Sequence, residues 1–349
     1  MSPREIRDIA LHCGFELAGV AAALPHPDGA RYRGWVDAGL AGDMSYLTDH
    51  RADIRADPRL LLHSARSIIC VGKLYNGPEP YSTRFDDAEL AWISRYAWGD
   101  DYHDILRAGL EQMARALGDH EWRVCVDTAP LLERSYAREA GLGWIGKNTC
   151  LINEPRGSWF FLGELLTSLG IEPDSPAPDR CGTCTRCIDA CPTAALSPYQ
   201  LDATKCIAYF TIELRGPIPE EYRAAIGRHV FGCDICQDVC PWNRRAPVTA
   251  GAPFAARQLA PPLDKLAALT EDEFRSLFRG SAVKRAKYTG FMRNVAIAMG
   301  NAANARFSGA LERLAASPDA TVAEAARWAL KKVSSRDSEE APARSDCVI

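Results

Sequence analysis

The hydrophobic positions of this chain change period along its length. Up to about residue 170, short apolar runs alternate with amphipathic stretches. Ser2-Pro3-Arg4-Glu5 reads as a capping box with proline at the first helical position, and Ile6, Ile9, Ala10 and Cys13 follow at helical spacing until Gly14. E-L-A-G-V-A-A (16–22) predicts a strand, and residues 30–66 look helical and loop-rich. Ser67 to Tyr75 predicts a buried strand. Residues 87–117 predict a helix, interrupted near W-G-D-D-Y-H. Trp122 to Asp127 is a strand ending in an acid, followed by a Thr-Ala-Pro turn and a helix over L-L-E-R-S-Y-A-R-E-A. A turn from Gly141 to Lys147, a short strand in T-C-L-I-N and an apolar run from Trp159 to Leu169 complete a region of α/β or α+β character over residues 1–170.

The pattern then changes twice. A linker rich in proline and acid, E-P-D-S-P-A-P-D, leads into a cysteine-rich module over 171–248. From Leu263 to Val333 only helical patterns remain, so 249–333 reads as a helical domain of paired helices similar to a short HEAT-like solenoid. Thr270 with Glu273 and Thr321 with Glu324 read as capping boxes there. Residues 334–349 are expected to be a disordered tail.

Cysteine sets the chemistry. The run C-G-T-C-T-R-C-I-D-A-C-P (181–192) is the C-x2-C-x2-C-x3-C-P pattern of bacterial-type ferredoxins, in which the fourth cysteine serves the other cluster. C-D-I-C-Q-D-V-C-P (233–241) is an incomplete copy whose missing cysteine is Cys206. The crossing rule places one [4Fe–4S] cluster on Cys181, Cys184, Cys187 and Cys240, and another on Cys191, Cys206, Cys233 and Cys236. Zinc knuckles are the alternative, although zinc does not call for the C-x3-C-P tail. The chain is read as one that moves electrons.

With 41 basic and 45 acidic residues, a net charge of −4 gives no general attraction to polyanions, so any such partner must meet a local patch. The other five of 13 cysteines lie far apart. M-S-P-R-E-I-R-D lacks a signal-peptide apolar region and no run is long enough to span a bilayer, so a cytoplasmic protein that binds no membrane is expected. Nothing suggests more than a monomer.

Several constellations lie outside the cysteines. Gly141-Leu-Gly-Trp-Ile-Gly146 fits G-x-G-x-x-G, but a helix precedes it and a strand follows, the reverse of a dinucleotide fingerprint. It reads instead as a glycine-rich turn packed close to a ligand or backbone. Asp127 is either a turn or cap aspartate or a proton donor with a raised pKa. Glu133 and Arg134, one helical turn on, read as a solvated face. Tyr102 and His103 are either an aromatic helix start or the wall of a pocket for a flat cofactor, and Lys147 and Asn148 either bind cofactor amides or finish a turn. From Phe274 to Leu311 there are Arg275, Arg279, Lys284, Arg285, Lys287, Arg293 and Arg306 and no acid, which suggests a phosphate-facing surface or an ordinary charged helix face.

V-D-T-A-P-L-L-E-R, A-G-L-G-W-I-G-K-N, G-S-W-F-F-L-G-E, the double cluster motif and A-Y-F-T-I-E-L-R-G together resemble the epoxyqueuosine reductase family, over about residues 5–330. That resemblance implies an α+β chain: an N-terminal, nitroreductase-like cobalamin-binding domain, a ferredoxin-like module with two [4Fe–4S] clusters, and HEAT-like helices. It implies the last step of queuosine synthesis, removal of an epoxide oxygen from the wobble base of tRNA, with an external low-potential electron donor. The family's proton donor falls on Asp127, and its cobalamin pocket on Arg51, Tyr96, Tyr102, His103, Asp127, Lys147, Asn148, Ser158, Trp159, Tyr209, Thr211, Asp234 and Ile235. Arg215, Lys284, Arg285, Lys287 and Arg293 would hold the anticodon stem-loop. The D-x-H-x-x-G box of many B12 proteins is begun by Asp101-Tyr-His103 but has Leu106 in place of glycine, so cobalt without a lower protein ligand is expected. The competing readings are a corrinoid reductive dehalogenase, whose usual twin-arginine signal is missing, and a ferredoxin-like carrier, for which some 170 residues of α/β domain have no use.

Overall fold

The computed structural model describes residues 1–249 and 252–340. The chain divides into two compact units, where the sequence suggested three consecutive stretches. One unit comprises Met1–Arg84, Arg95–Cys206 and Asp234–Arg257; the other comprises Phe85–Ser94, Ile207–Cys233 and the chain from Gln258 on.

The first unit is built on a four-stranded antiparallel sheet, β1 (Leu17–Ala22), β2 (Ser67–Leu74), β7 (Phe160–Thr167) and β4 (Trp122–Cys125), in that order. Successive side chains of a strand face opposite sides, and here both sides are covered. Ile69 and Val71 of β2 pack with Leu165 of β7 against α1 (Pro3–His12) and α5 (Tyr102–Ala116). Ile68 and Cys70 face the other way, with Leu166, Cys125 and the apolar stripe of α6 (Glu133–Glu139). Burial on both faces is why β2 and β7 read as continuous apolar runs. The Ser2–Glu5 capping box forms as expected, and Gly14, at φ 89°, turns the chain into β1.

Three short helices, α2 (Asp28–Asp37), α3 (Ser45–Thr48) and α4 (Arg51–Ile54), precede β2. The hairpin β5 (Trp144–Ile145) with β6 (Leu151–Ile152) contains the glycine-rich stretch. A Cβ on Gly143 would stand 2.1 Å from the carbonyl oxygen of Ile152, so glycine is required there by close backbone approach. The cysteine-bearing part contributes α7 (Arg186–Asp189), the hairpin β8 (Leu196–Ser197) with β9 (Gln200–Leu201), and α9 (Ile235–Asp238), which packs on α7.

In the second unit, β3 (Trp92–Ile93) pairs in parallel with β10 (His229–Phe231). The helix expected over 87–117 therefore begins only at Tyr102; aromatic and β-branched residues before it found a strand partner distant in sequence. The helices are α8 (Glu220–Ile226), α10 (Leu263–Ala267), α11 (Glu271–Leu277), α12 (Lys287–Ala302), α13 (Ser308–Ala315) and α14 (Ala320–Glu340). α12 is buried nearly all round and lies against α14, where Gly300 leaves no room for a Cβ beside Ala329. Thr270 and Glu273 form their capping box. Thr321 and Glu324 do not: Asp319 accepts the backbone N–H groups of Thr321 and Val322, and Glu324 binds Arg223. The tail expected from residue 334 is helical to Glu340, and 341–349 lie outside the described residues.

Candidate active site and cluster-binding segment

Two residues past the end of β4, Asp127 sits in the left-handed backbone region at φ 48°. A short polar side chain tolerates that conformation better than most, yet it remains strained for a residue other than glycine. Glu133, the first residue of α6, accepts the Asp127 backbone N–H at 2.5 Å. His103 lies in the first turn of α5, whose N-cap is Asp101. Asp101 Oδ1 accepts both the His103 backbone N–H, at 3.2 Å, and the ring Nδ1–H, at 2.7 Å, which leaves Nε2 facing Asp127 Oδ2 at 3.2 Å. Beneath them Tyr102 stacks on Phe161, with ring centroids 4.3 Å apart, and meets the edge of Tyr96. The Asp127 side chain is 55% exposed, so this acid opens outward.

Charge is shared unusually here. Burial works against a charged His103, but its bonds to Asp101 and Asp127 outweigh that and hold its pKa up to about 9. Burial, then the charge of Asp127, pushes Glu133 up to about 8. Behind it Glu164, in the middle of β7, is 0% exposed and is pushed well above the carboxylate range by burial and by Glu133 and Asp127. Glu164 stands directly opposite Cys70 of β2 and Cys125 of β4, and neither of its oxygens has a hydrogen-bond partner among the described residues. Such an arrangement holds protons.

All eight cysteines of the double-cluster pattern lie among the described residues. Cys181 packs with Cys240 against Trp144, Ile152 and Trp242. Cys187, in α7, is raised by burial and by the charges of Cys181 and Cys184, and Cys240 is pushed up to about 11 by burial, with Cys187 and Cys181 adding to it. Cys181 and Cys240 thus share one contact cluster, while among the described residues no three such side chains are drawn up closely enough to hold a metal ion as they stand. Cys191 Sγ accepts the Ala195 N–H, Cys206 follows a short helical turn, Cys236 lies in α9, and Cys233 closes the middle stretch of the second unit.

The residues carried over as cofactor contacts are placed more variously. Lys147 donates to the carbonyls of Gly182 and Cys184, and Asn148 to that of Cys236, so both hold the cysteine loops. Ser158 is buried against Asn243 and Gln237, and Asp234 accepts the Arg95 N–H at 2.8 Å just before Ile235 opens α9. Trp159 is buried with its indole N–H lacking an acceptor among the described residues. Arg51 is engaged by Asp49. In the second unit Tyr209 is buried, and Thr211 donates to the Ile207 carbonyl and accepts the Gly232 N–H.

Of the predicted phosphate-facing cations in that unit, Lys284, Arg285 and Lys287 are exposed, Arg285 also pairing with Glu213. Arg215 donates to the carbonyls of Ile212, Arg285 and Ala286. Arg293 is a correction: it is 1% exposed and donates to the carbonyls of Phe210, Leu214 and Gly216 and to Asn294, so it holds the fold and faces no phosphate. The sequence reading missed Glu164 altogether, as well as Cys150, whose thiol is lowered by its hydrogen bond to Cys236.

Comparison with known proteins gives this geometry its setting. A family described as a 4Fe-4S double cluster binding domain matches residues 180–243, and one described as Epoxyqueuosine reductase QueG, DUF1730 matches 55–128. An epoxyqueuosine reductase from Xanthomonas campestris pv. campestris is 42% identical over 336 residues, covering 93% of this chain and 94% of that protein. This chain belongs to the epoxyqueuosine reductase family. It is thus an oxidoreductase with an iron–sulfur segment, and other epoxyqueuosine reductases bear this out. One from Pseudomonas aeruginosa is 40% identical, with 94% of each chain covered. A crystal structure of epoxyqueuosine reductase with an epoxyqueuosine-modified tRNA-Tyr stem loop matches with a TM-score of 0.87 and 30% identity, over 95% of this chain and 89% of that one. The Bacillus subtilis epoxyqueuosine reductase, TM-score 0.85 and 29% identity over 95% of this chain and 90% of that one, has been seen with an aspartate-bearing catalytic loop swung out of the active site.

Among the described residues, no helix is long and apolar enough to cross a membrane.

Proposed function

We propose that this chain reduces epoxyqueuosine to queuosine at the wobble position of tRNA, with Asp127 protonating the departing oxygen. The observation that carries this is Asp127 itself: an exposed acid on a strained turn, held between His103 and Glu133, in a chain with the cysteines of a double-cluster domain. The net change is epoxide plus two electrons plus two protons, giving an alkene and water. Cys181, Cys184, Cys187 and Cys240 would hold one [4Fe–4S] cluster and Cys191, Cys206, Cys233 and Cys236 another, and these clusters together with a bound cobalamin would supply the reducing electrons.

The residues present fit such a cofactor. Tyr96, Tyr102 and His103 form an aromatic wall beside Asp127, and the unpaired Trp159 N–H is a donor left over for a cofactor amide. Both nitrogens of His103 are engaged by Asp101 and Asp127, so this side chain would line the cofactor pocket while holding Asp127 in place. The chain's own part is to place Asp127, hold a proton between Asp127 Oδ2 and His103 Nε2, and exclude water from the reacting centre. The fold fits a nitroreductase-like first unit and HEAT-like helices in the second. Lys284, Arg285 and Lys287, backed by Arg215, would meet the phosphates of the anticodon stem-loop. A cytoplasmic monomer served by a low-potential donor completes the reading.

The test is anaerobic turnover of reconstituted protein with cobalamin, a chemical reductant and tRNA carrying epoxyqueuosine, followed by nucleoside mass spectrometry. Wild type removes one oxygen. Asp127→Asn, which keeps the left-handed turn accessible, retains its clusters and RNA binding but loses roughly two to four powers of ten in rate. Unchanged turnover by Asp127→Asn would remove it as the donor.

A further inference from the structure

Electrons that reach the cysteine segment must enter from outside the chain. Acids outnumber bases overall, with a net charge of −4, so a patch of arginines without acidic partners is a local exception. One such patch lies on the cysteine-bearing part of the first unit. It surrounds an open cavity of about 630 Å³ walled by α7, α9 and the short turn Ser82–Arg84.

Arg84, Arg186 and Arg244 line this cavity, each exposed and each from a different segment of the chain. None of these three guanidiniums pairs with a carboxylate among the described residues; Arg84 lies over the ring of Tyr81, 5.7 Å from its centre. Asp238 lines the same cavity and is only 7% exposed. Its Oδ2 accepts the Ser82 hydroxyl and the Thr83 backbone N–H, while Oδ1 has no hydrogen-bond partner among the described residues. A buried acceptor left open at a cavity wall is a place for a donor from outside.

The cavity adjoins the cluster motif. Arg186 precedes Cys187, Asp189 stands two residues before Cys191, and Asp238 lies two from Cys236 and two from Cys240. Cys187 and Cys191 are themselves only half-buried. Tyr102, His103 and Glu133, the neighbours of Asp127, take no part in it. Unpaired arginines suit two kinds of partner, and the acids beside them separate the two. An RNA backbone presents phosphates throughout, so Asp189 and Asp238 would meet it with like charge. A protein surface carries both signs: its carboxylates can meet the arginines while an N–H or amine meets Asp238. Encounters between redox proteins are small, transient and steered by charge.

We propose that this arginine-lined cavity docks a small, acidic, one-electron carrier protein that charges the iron–sulfur segment. The proposal rests on the reading of the eight cysteines as cluster ligands. Each encounter passes one electron from the reduced carrier to the segment, with no bond made or broken. Two encounters supply the two electrons of one epoxide reduction. Arg84, Arg186 and Arg244 fix where the carrier lands, beside the cysteine loops and away from the surroundings of Asp127.

The test uses anaerobically reconstituted holoenzyme and two acidic probes, a flavodoxin and a plant-type ferredoxin. Fluorescence anisotropy gives their affinity at low and at physiological salt. Stopped-flow absorbance follows reduction of the segment by each reduced probe and by methyl viologen radical, a small cation that needs no docking site. The variants are Arg84→Glu, Arg186→Glu, Arg244→Glu and the Arg84→Glu/Arg244→Glu double, with iron content and stem-loop affinity measured on each. Wild type binds the probes less tightly as salt rises. Each single reversal weakens that binding about threefold and the double roughly tenfold or more, with a shallower salt dependence. Reduction by methyl viologen, iron content and stem-loop affinity stay at wild-type values. Unchanged probe affinity in the double variant overturns the proposal, as does a wild type that binds neither probe. So does a reversal that weakens the stem-loop and not the probes, which would make the patch an RNA surface. Should Arg186→Glu lose iron, because it adjoins Cys187, the Arg84 and Arg244 variants decide. A wild type that holds no iron after reconstitution would instead sink the reading of the cysteines, whatever the arginines do.

Discussion

Each unit buries an ionisable side chain in its core, and the two are treated in opposite ways. In the helical unit Arg293 gives its guanidinium hydrogens to the carbonyls of Phe210, Leu214 and Gly216 and to Asn294. In the sheet unit Glu164 is as deeply buried, and neither of its oxygens has a hydrogen-bond partner among the described residues. A buried charge saturated with hydrogen bonds acts as architecture, since it satisfies backbone groups that burial would leave unpaired. A buried acid left unsatisfied weakens the fold, and what it retains is a proton. Hydrogen-bond saturation, more than burial, separates the two uses.

The comparison breaks first at Arg293. Arg293→Ala leaves several buried carbonyls unpaired and is expected to cost roughly 3–5 kcal/mol in urea unfolding. A loss below about 1 kcal/mol would mean that the saturated charge is dispensable. Next comes Glu164→Gln, where the sign depends on pH. The folded protein holds the Glu164 proton at pH values where the unfolded chain releases it. Wild-type stability therefore falls as pH rises above about 4.5, the usual glutamate value, towards the raised folded value. Glutamine cannot ionise. Thermal unfolding should find the variant close to wild type at pH 5 and more stable than wild type at pH 8; no pH dependence in the difference would show Glu164 to be satisfied after all.

A capping box sharpens the scale: Thr270→Ala, removing an exposed cap, is expected to cost about 1 kcal/mol. The smallest effect on folding belongs to Arg285, whose pair with Glu213 is half exposed. Arg285→Ala should change stability by less than about 1 kcal/mol, while weakening stem-loop binding and lowering its salt dependence by about one ion. An Arg285→Ala protein with unchanged salt dependence would take this residue out of the RNA surface.

Where local rules governed, the sequence was legible. Ser2 with Glu5 and Thr270 with Glu273 formed their boxes, the glycine-rich stretch became a hairpin, and β2 kept the bounds of its apolar run to within a residue. Thr321 with Glu324 failed because Asp319 offered an earlier cap and Arg223 claimed the glutamate. Residues 87–101 misled because Trp92 and Ile93 pair with a strand far along the chain. Arg293 was taken for surface because it sits among other cations, although its immediate neighbours, F-M-R-N-V-A-I-A-M, already described a helix buried all round. Glu164 was lost in the opposite way: F-F-L-G-E-L-L-T is so apolar that its single acid passed as noise. A charge inside an otherwise unbroken apolar run was the missed signal in both.

The interleaving of the two units bears on how the chain is made. A ribosome releases Phe85–Ser94 long before His229–Phe231, and longer still before the helices from Gln258 on. Trp92 and Ile93 emerge with no partner yet synthesised and must stay unpaired while the flanking residues begin to build a sheet. The helical unit can be completed only near the end of translation, so the order of synthesis differs from the order of assembly. Fragments that stop before residue 229 would carry an orphaned aromatic strand, a natural target for chaperones and a poor choice for expression.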